Sequence, residues 1–304
     1  MIFNSETKCL LFICLLMQLT SVAADSWDDI SRLNRTEVQT IVRVKSEADV
    51  VAALQRLKPQ EHIVISGTRH SQGGQIVFPG AVVLDMSGYN NIVSLSVKNK
   101  SIIVQSGTIW AQIQQAINPH GLSIKVMQSS NIFSIGGSLS ANVHGRDPSY
   151  GPIIETVKSL KLVLASGDIV VASRQINPEL FYAAIGGYGL IGIVLEVELE
   201  LTDNLKLVKS TARTEYDEYP AYLLSNIEKL ALHYGRCSIV KDDTFLRECY
   251  SINFEVEGAE SSSDPLSIES NVGLSSLFFN FSRKSSIGKA LRWNIQKKFI
   301  DVPG

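Results

Sequence analysis

The sequence predicts an α+β protein in which short apolar strands and small helices are separated by loops rich in glycine and serine. Three observations carry this reading. Residues 62–66, 82–86 and 101–106 are apolar runs of strand length. Residues 46–57 and 109–117 have helical spacing. Glycine-rich stretches at 67–74, 136–145 and 186–192 mark places where backbone must turn tightly or approach something closely.

A chain of 304 residues, 45% hydrophobic and 19% charged, builds a sizeable core. Its formal net charge of −2 offers no field to gather nucleic acid, and no nucleic-acid partner is expected. At the start, Lys8 precedes an apolar run over 9–19, and Ser21, Val22, Ala23 and Ala24 suit signal-peptidase cleavage. Residues 1–24 therefore read as a leader and the protein as exported, to a periplasm or the outside; an uncleaved membrane anchor is the minor alternative. Cys9 and Cys14 would leave with it, so Cys237 and Cys249 remain, either as a disulfide or as two buried thiols. No CxxC or His/Cys cluster exists, and no metal site is expected.

In chain order, residues 40–44 read as a strand, and 46–57 as a helix N-capped by Ser46 with Glu47 and Asp49 in its first turn. Val50, Val51, Leu54 and Leu57 share one face, and Pro59 ends the helix. Strands at 62–66, 82–86 and 101–106 follow, then a helix at 109–117 that stops at Asn118-Pro119. Residues 129–145 read as a long loop containing a short helix. Runs at 160–164 and 169–172 flank Ser166-Gly167-Asp168, a hairpin signature. A short helix at 180–185, a glycine turn at 186–192 and an alternating strand at 193–201 complete the segment. Beyond Thr202 glycines thin out and charges become denser, which places a boundary at 202–208.

Three loops carry the chemistry. The first is Ser66-Gly67-Thr68-Arg69-His70-Ser71 with Gly73-Gly74-Gln75, whose glycines let successive N–H groups face an anion. The second runs from Ser134-Ile135-Gly136-Gly137-Ser138 through Ala141 to Asn142-Val143-His144-Gly145, with Ser129 and Ser130 just before it. The third is Gly186-Gly187-Tyr188-Gly189-Leu190-Ile191-Gly192-Ile193-Val194. A dinucleotide GxGxxG needs a strand before it and a helix after it; here a strand follows, which disfavours a Rossmann reading.

In order and spacing these motifs resemble the vanillyl-alcohol-oxidase/PCMH-type flavoproteins, a family that includes decaprenylphosphoryl-ribose oxidases, alditol oxidases, aldonolactone oxidases and cytokinin dehydrogenases. The resemblance implies a PCMH-type FAD-binding domain of two α/β subdomains over 36–204, followed by a partial α+β cap over 205–304, the returning C-terminal segment appearing to be missing. It implies FAD as cofactor, with Ser66, Gly67, Thr68, Arg69, His70, Ser71 and Gln75 contributing from the first loop. Ser129, Ser134, Gly136, Gly137, Ser138, Ala141, His144 and Gly145 would contribute from the second, and Ile193 from the third.

In many relatives the histidine matching His70 is bonded to the flavin 8α carbon, so His70 is the covalent candidate; serines rather than a cysteine in the second loop imply no second link. His144 reads equally as a structural histidine or a flavin contact. The implied reaction is oxidation of an alcohol on a sugar, polyol or aldonolactone by hydride transfer to flavin N5, with oxygen or another acceptor closing the cycle. No catalytic base is identified, and Tyr188, Tyr150, Lys125 and Arg146 are pocket-facing candidates only. A non-catalytic FAD-binding relative, or half of a split oxidase completed by a partner chain, is the competing reading; a cofactor-less sugar-binding protein is a third. Arg283, Lys284, Lys289, Arg292, Lys297 and Lys298 surround Trp293 and read as a solvated helix face rather than a lipid-binding one. Asn34-Arg35-Thr36 and Asn280-Phe281-Ser282 match the glycosylation pattern, and the sequence leaves open whether they are glycosylated.

Overall fold

A computed structural model describes residues 25–264, 266, 279–283 and 285–300. The leader reading (1–24) and Lys284 lie outside these residues. Strand β1 (Asp25–Trp27) pairs antiparallel with β2 (Thr36–Val38). Next, β3 (Thr40–Arg43), β4 (Ile63–Ser66) and β5 (Val82–Asp85) form a parallel sheet in the order β3-β5-β4. A parallel pair needs a crossover, and α1 (Glu47–Arg56) supplies it between β3 and β4. Ser46 caps α1 as its sequence implies: the hydroxyl accepts the Asp49 N–H at 3.3 Å, and the Asp49 carboxylate accepts the Ser46 N–H at 2.8 Å.

A second, antiparallel sheet contains β6 (Ile92–Ser96), β7 (Ser101–Gln105), β8 (Leu122–Ile124), β9 (Val157–Val163), β10 (Ile169–Ser173) and β11 (Ile193–Asp203). Its order is β10-β9-β11-β7-β6, with β8 also pairing with the far end of β11. Gly167, at φ 87°, makes the turn between β9 and β10. Helices α2 (Trp110–Ile117), α3 (Ile135–Ser140) and α4 (Pro178–Ala184) cover one face of this sheet. There Trp110, Ile113, Leu139 and Phe181, all fully buried, pack on Ile102, Val104, Leu160 and Leu162. Each such side chain contributes about 1.5–3 kcal/mol by leaving water.

The opposite face of the same sheet, at Val163, Ile193 and Leu195, packs on Val50, Leu84 and Met86 and so joins the two subdomains. A β-bulge makes this double use of β11 work. Ile193 pairs with Val163 and Val194 with Leu162, but Lys161 pairs with Glu196, which leaves Leu195 as the extra residue. Ile193 and Leu195 therefore join the inter-subdomain core, whereas Val194, Val197, Leu199 and Leu201 pack with the helices.

At Asn204 the chain passes to a third sheet: β12 (Leu205–Glu215), β13 (Leu232–Cys237) and β14 (Glu248–Ser261), antiparallel in the order β12-β14-β13. Asn204 is held in place, its N–H donating to the Gly121 carbonyl at 2.8 Å and its Nδ2 to the Ser262 carbonyl at 2.8 Å. Helix α5 (Tyr219–Asn226) precedes β13, and α6 (Ser286–Ile300) packs Trp293 against Tyr250 and Ile252. Burial alone would raise the Glu248 carboxyl. The Trp293 indole N–H at 2.7 Å and Lys297 at 3.3 Å outweigh it and hold the group below its ordinary value. Lys297 and Arg292 thus turn inward, Arg292 donating to the Ser282 hydroxyl at 3.3 Å, rather than forming one solvated basic face. Cys237 and Cys249, opposite each other on β13 and β14, form a disulfide. No helix among the described residues is long and apolar enough to cross a membrane.

Candidate functional site

The three glycine-rich loops meet around one cavity of about 350 Å³. The first leaves β4, the second enters α3, and the third joins α4 to β11. Direct bonds tie them together: the Ser134 N–H donates to the Thr68 hydroxyl at 3.2 Å, Gly186 N–H to the Leu139 carbonyl at 2.9 Å, and Tyr188 N–H to the Ser140 carbonyl at 3.1 Å. The first two loops approach so closely that a Cβ on Gly67 would collide with the Ser134 hydroxyl.

From the first loop Gly67, Thr68, Arg69, His70, Ser71 and Gln75 line the cavity. From the second, Ser134, Gly136, Gly137, Ser138 and Ala141 do so. Five implied contacts lie elsewhere. Ser66 is the buried last residue of β4, paired in register with Asp85. Ser129 is exposed beside the cavity-lining Gln128. His144 is exposed with its Nδ1 3.0 Å from the Gly145 carbonyl, and Gly145 packs on the Met127 backbone. Ile193 points into the inter-subdomain core because of the bulge, and its neighbours Gly192 and Val194 line the cavity instead.

Of the four pocket candidates, Tyr188 lines the cavity at φ 51°. Lys125 is instead paired with Glu200 at 2.6 Å near Tyr150, and Arg146 stacks 4.1 Å over Tyr234. Sequence reasoning missed Ile65, Ile76, Met86, Ser106, Phe133, Ala184 and Val194, which complete the walls. All but Ser106 are apolar residues at strand ends, in turns or at a helix end, identical in kind to core residues, and carry no local signal. Ser106 precedes Gly107, where the structure brings the Met86 carbonyl too close for a Cβ.

The polar groups facing this space are unequal. The Ser138 hydroxyl is committed to the Ser134 carbonyl at 3.0 Å and to Gln128 at 2.9 Å, beside the Trp110 indole. The N–H groups of Ile135 and Gly136, at the start of α3, donate to the Thr108 and Ser106 carbonyls at 2.8 Å each. That leaves Gly137 N–H without an acceptor among the described residues, so α3 offers a ligand less than its sequence suggested. The N–H groups of Thr68, Arg69 and His70 likewise donate to no acceptor among the described residues. The hydroxyls of Ser71 and Ser106 are buried, line the cavity and have no hydrogen-bond partner among those residues. Unpaired amides and buried hydroxyls beside apolar walls suit a ligand with both phosphate and flat aromatic parts. FAD fits that description. His70 stands edge-on to Phe133, ring centroids 4.8 Å apart, and burial lowers its pKa, which favours the neutral imidazole.

Comparison with known proteins points the same way. Residues 38–173 match the family described as FAD binding domain. The chain is 29% identical over 174 residues to decaprenylphosphoryl-beta-D-ribose oxidase of Mycolicibacterium smegmatis, covering 54% of this chain and 37% of that protein. It is 27% identical over 193 residues to cytokinin dehydrogenase 2 of Arabidopsis thaliana, covering 62% and 38%. To the mitochondrial L-galactono-1,4-lactone dehydrogenase 1 of Oryza sativa subsp. japonica it is 30% identical over 151 residues, covering 48% and 26%. The chain thus spans less than two fifths of the length of each of these relatives.

Proposed function

We propose that the chain is an FAD-dependent oxidoreductase of the PCMH type that oxidises an alcohol carbon of a sugar, polyol or aldonolactone, a reading supported by the match of residues 38–173 to the FAD binding domain family. The observation that carries this reading is the convergence of three separate loops on one cavity whose unpaired groups suit FAD. Substrate class rests on relatives whose names specify a ribose oxidase and a galactonolactone dehydrogenase.

When bound, FAD supplies the acceptor for a hydride from the substrate carbon. The chain's own residues bind and orient. Amides of Thr68, Arg69 and His70, with Gly137 N–H, would hold the phosphates. Ser71 and Ser106 hydroxyls would find in the cofactor the partners they lack. Ile65, Met86, Ala184 and Val194, which line the cavity, would exclude water from its apolar faces. His70 is the proposed point of covalent attachment, its neutral nitrogen being the form that can make such a bond. Tyr188 and Arg69 are, besides His70, the titratable side chains among the described lining residues, and so those that can hold a proton or charge beside a substrate. Export is supported by the disulfide, a bond that persists in oxidising compartments.

The test is to purify the chain, denature it in acid and follow the yellow colour. Colour that stays with the polypeptide, and is lost in His70→Ala, supports FAD binding and the histidyl link together. Colour released to the supernatant removes the link alone, and well-folded colourless protein removes the FAD reading. Anaerobic bleaching by a panel of aldonolactones and polyols tests the substrate class. Bound flavin that no member bleaches would favour an FAD-binding relative without its own turnover, or one half of a split oxidase.

A further inference from the structure

The cavity-facing bend of the first loop holds two residues at positive φ, Arg69 at 61° and Gly74 at 76°. The first is a conformation that L side chains disfavour, so the bend needs support from outside itself. We propose that Asp29 is a positioning residue for the cofactor: with Trp27, Ile30 and Asn34 it forms a brace that holds residues 67–75 in the shape that receives FAD. This rests on the reading of the cavity as the FAD site.

Both ends of the bend are tied to this one segment. Ile30 N–H donates to the Arg69 carbonyl at 2.8 Å, and the Arg69 guanidinium lies 4.8 Å over the Trp27 ring. At the other end the Gly74 N–H lies near enough to the Asp29 carboxylate to help lower its pKa, and Asn34 Oδ1 stands where a Cβ on Gly74 would come within 3.3 Å. Asp29 is 3% exposed, and its hydrogen bonds hold the segment to itself. They come from the Ser31 hydroxyl, Ser31 N–H at 2.9 Å and Asn34 Nδ2 at 2.6 Å. The hydroxyl of Ser31 is the main reason its pKa lies below the ordinary carboxylate value, followed by bonds from Asn34 and two amides that outweigh burial. Trp27 is itself fixed in a small core with Val38, Ile76 and Val83, so the brace is seated on β2 and β5.

Neither Asp29 nor Asn34 lines the cavity, so neither touches the cofactor; they act through the loop. Beside the Arg69 tie, the amides of Thr68, Arg69 and His70 donate to no acceptor among the described residues, which leaves them to face a ligand. Replacing the carboxylate by an amide keeps the size of the side chain but puts a donor where an acceptor now faces Asn34 Nδ2 and Gly74 N–H. The brace that carries the loop then loses at least one of its charge-assisted contacts.

The experiment compares Asp29→Asn with its parent by titrating FAD into apoprotein, each in a His70→Ala background so that attachment cannot mask affinity. Amide hydrogen exchange is followed on the same samples. The expected result is a Kd for FAD raised about tenfold in Asp29→Asn, with faster exchange confined to residues 28–34 and 67–75. A Kd within about twofold of the parent, or faster exchange spread through α2 and β11, would overturn the proposal. Should Asp29→Asn fail to fold, Asn34→Ala takes its place: a rise of about threefold in Kd with the same local exchange supports the brace, and unchanged binding refutes it. A parent that binds no FAD, with or without His70, overturns the cofactor reading itself and the proposal with it.

Discussion

Replacing Ser106 with alanine separates a hydroxyl that serves a ligand from one that serves the fold, because the two roles predict opposite signs. Ser106 is 3% exposed, lines the cavity, and its Oγ has no hydrogen-bond partner among the described residues. Its backbone N–H and carbonyl, bonded to Leu195 and Gly136, are untouched by the change. A buried hydroxyl without a partner costs about 1–3 kcal/mol, so its removal stabilises the protein without FAD by about 1 kcal/mol. For a domain of this size that raises Tm by about 2–4 °C. With FAD bound, the same hydroxyl contributes about 0.5–1.5 kcal/mol, so the Kd for FAD rises by about two- to tenfold in the variant. Thermal denaturation of apoprotein and a fluorescence titration with FAD measure the two effects independently. A lower apoprotein Tm would mean that the hydroxyl already has a partner in solution. An unchanged Kd would mean that it does not meet the cofactor. Either result refutes the reasoning.

The remaining predictions concern the titration of His70, the α1 cap and the disulfide. Burial lowers the His70 pKa from its ordinary 6.5, so on acidification the unfolded chain takes up this proton first. Apoprotein stability should therefore fall as pH drops through 6.5, levelling off below the lowered folded value, and the parent-minus-His70→Ala difference in urea midpoints should show that slope. Ser46→Ala should cost about 1 kcal/mol through loss of the capping box, read as a shift in denaturant midpoint at constant m-value. Reducing Cys237–Cys249, which closes a loop of sequence separation 12, should remove about 3 kcal/mol from the third sheet. Limited proteolysis should then cut within residues 205–264 while flavin stays bound, and uniform cleavage of the whole chain would contradict the separate role given to that sheet.

Much of the fold was legible because local chemistry specifies it. Ser46 and Asp49 announce the start of α1, Pro59 stands just beyond its end, and Ser166-Gly167-Asp168 turns β9 into β10. Strands β6 and β8 were not legible. Ile92, Val93 and Val97 are exposed apolar residues in and beside β6, so no alternation marks it, and β8 is three residues paired to the end of β11. The third sheet was equally hidden, since its signal lies in pairing between segments distant in the chain, β12 with β14 above all. Whether Cys237 and Cys249 were bonded also depended on that register, which sets them opposite each other.

By itself the sequence determined where the backbone can turn, where helices begin and which three loops are able to approach a ligand, because glycine, proline and capping side chains act on their own immediate backbone. The tertiary structure alone decided which groups those loops leave unpaired and which way each residue points. The alternation over 193–201 is compatible with one buried face throughout. The extra residue at Leu195 instead sends Ile193 to the inter-subdomain core and Val194 to the cavity. A face is a relation between a strand and its neighbours, so one unpaired residue reverses it without changing the identity of any side chain.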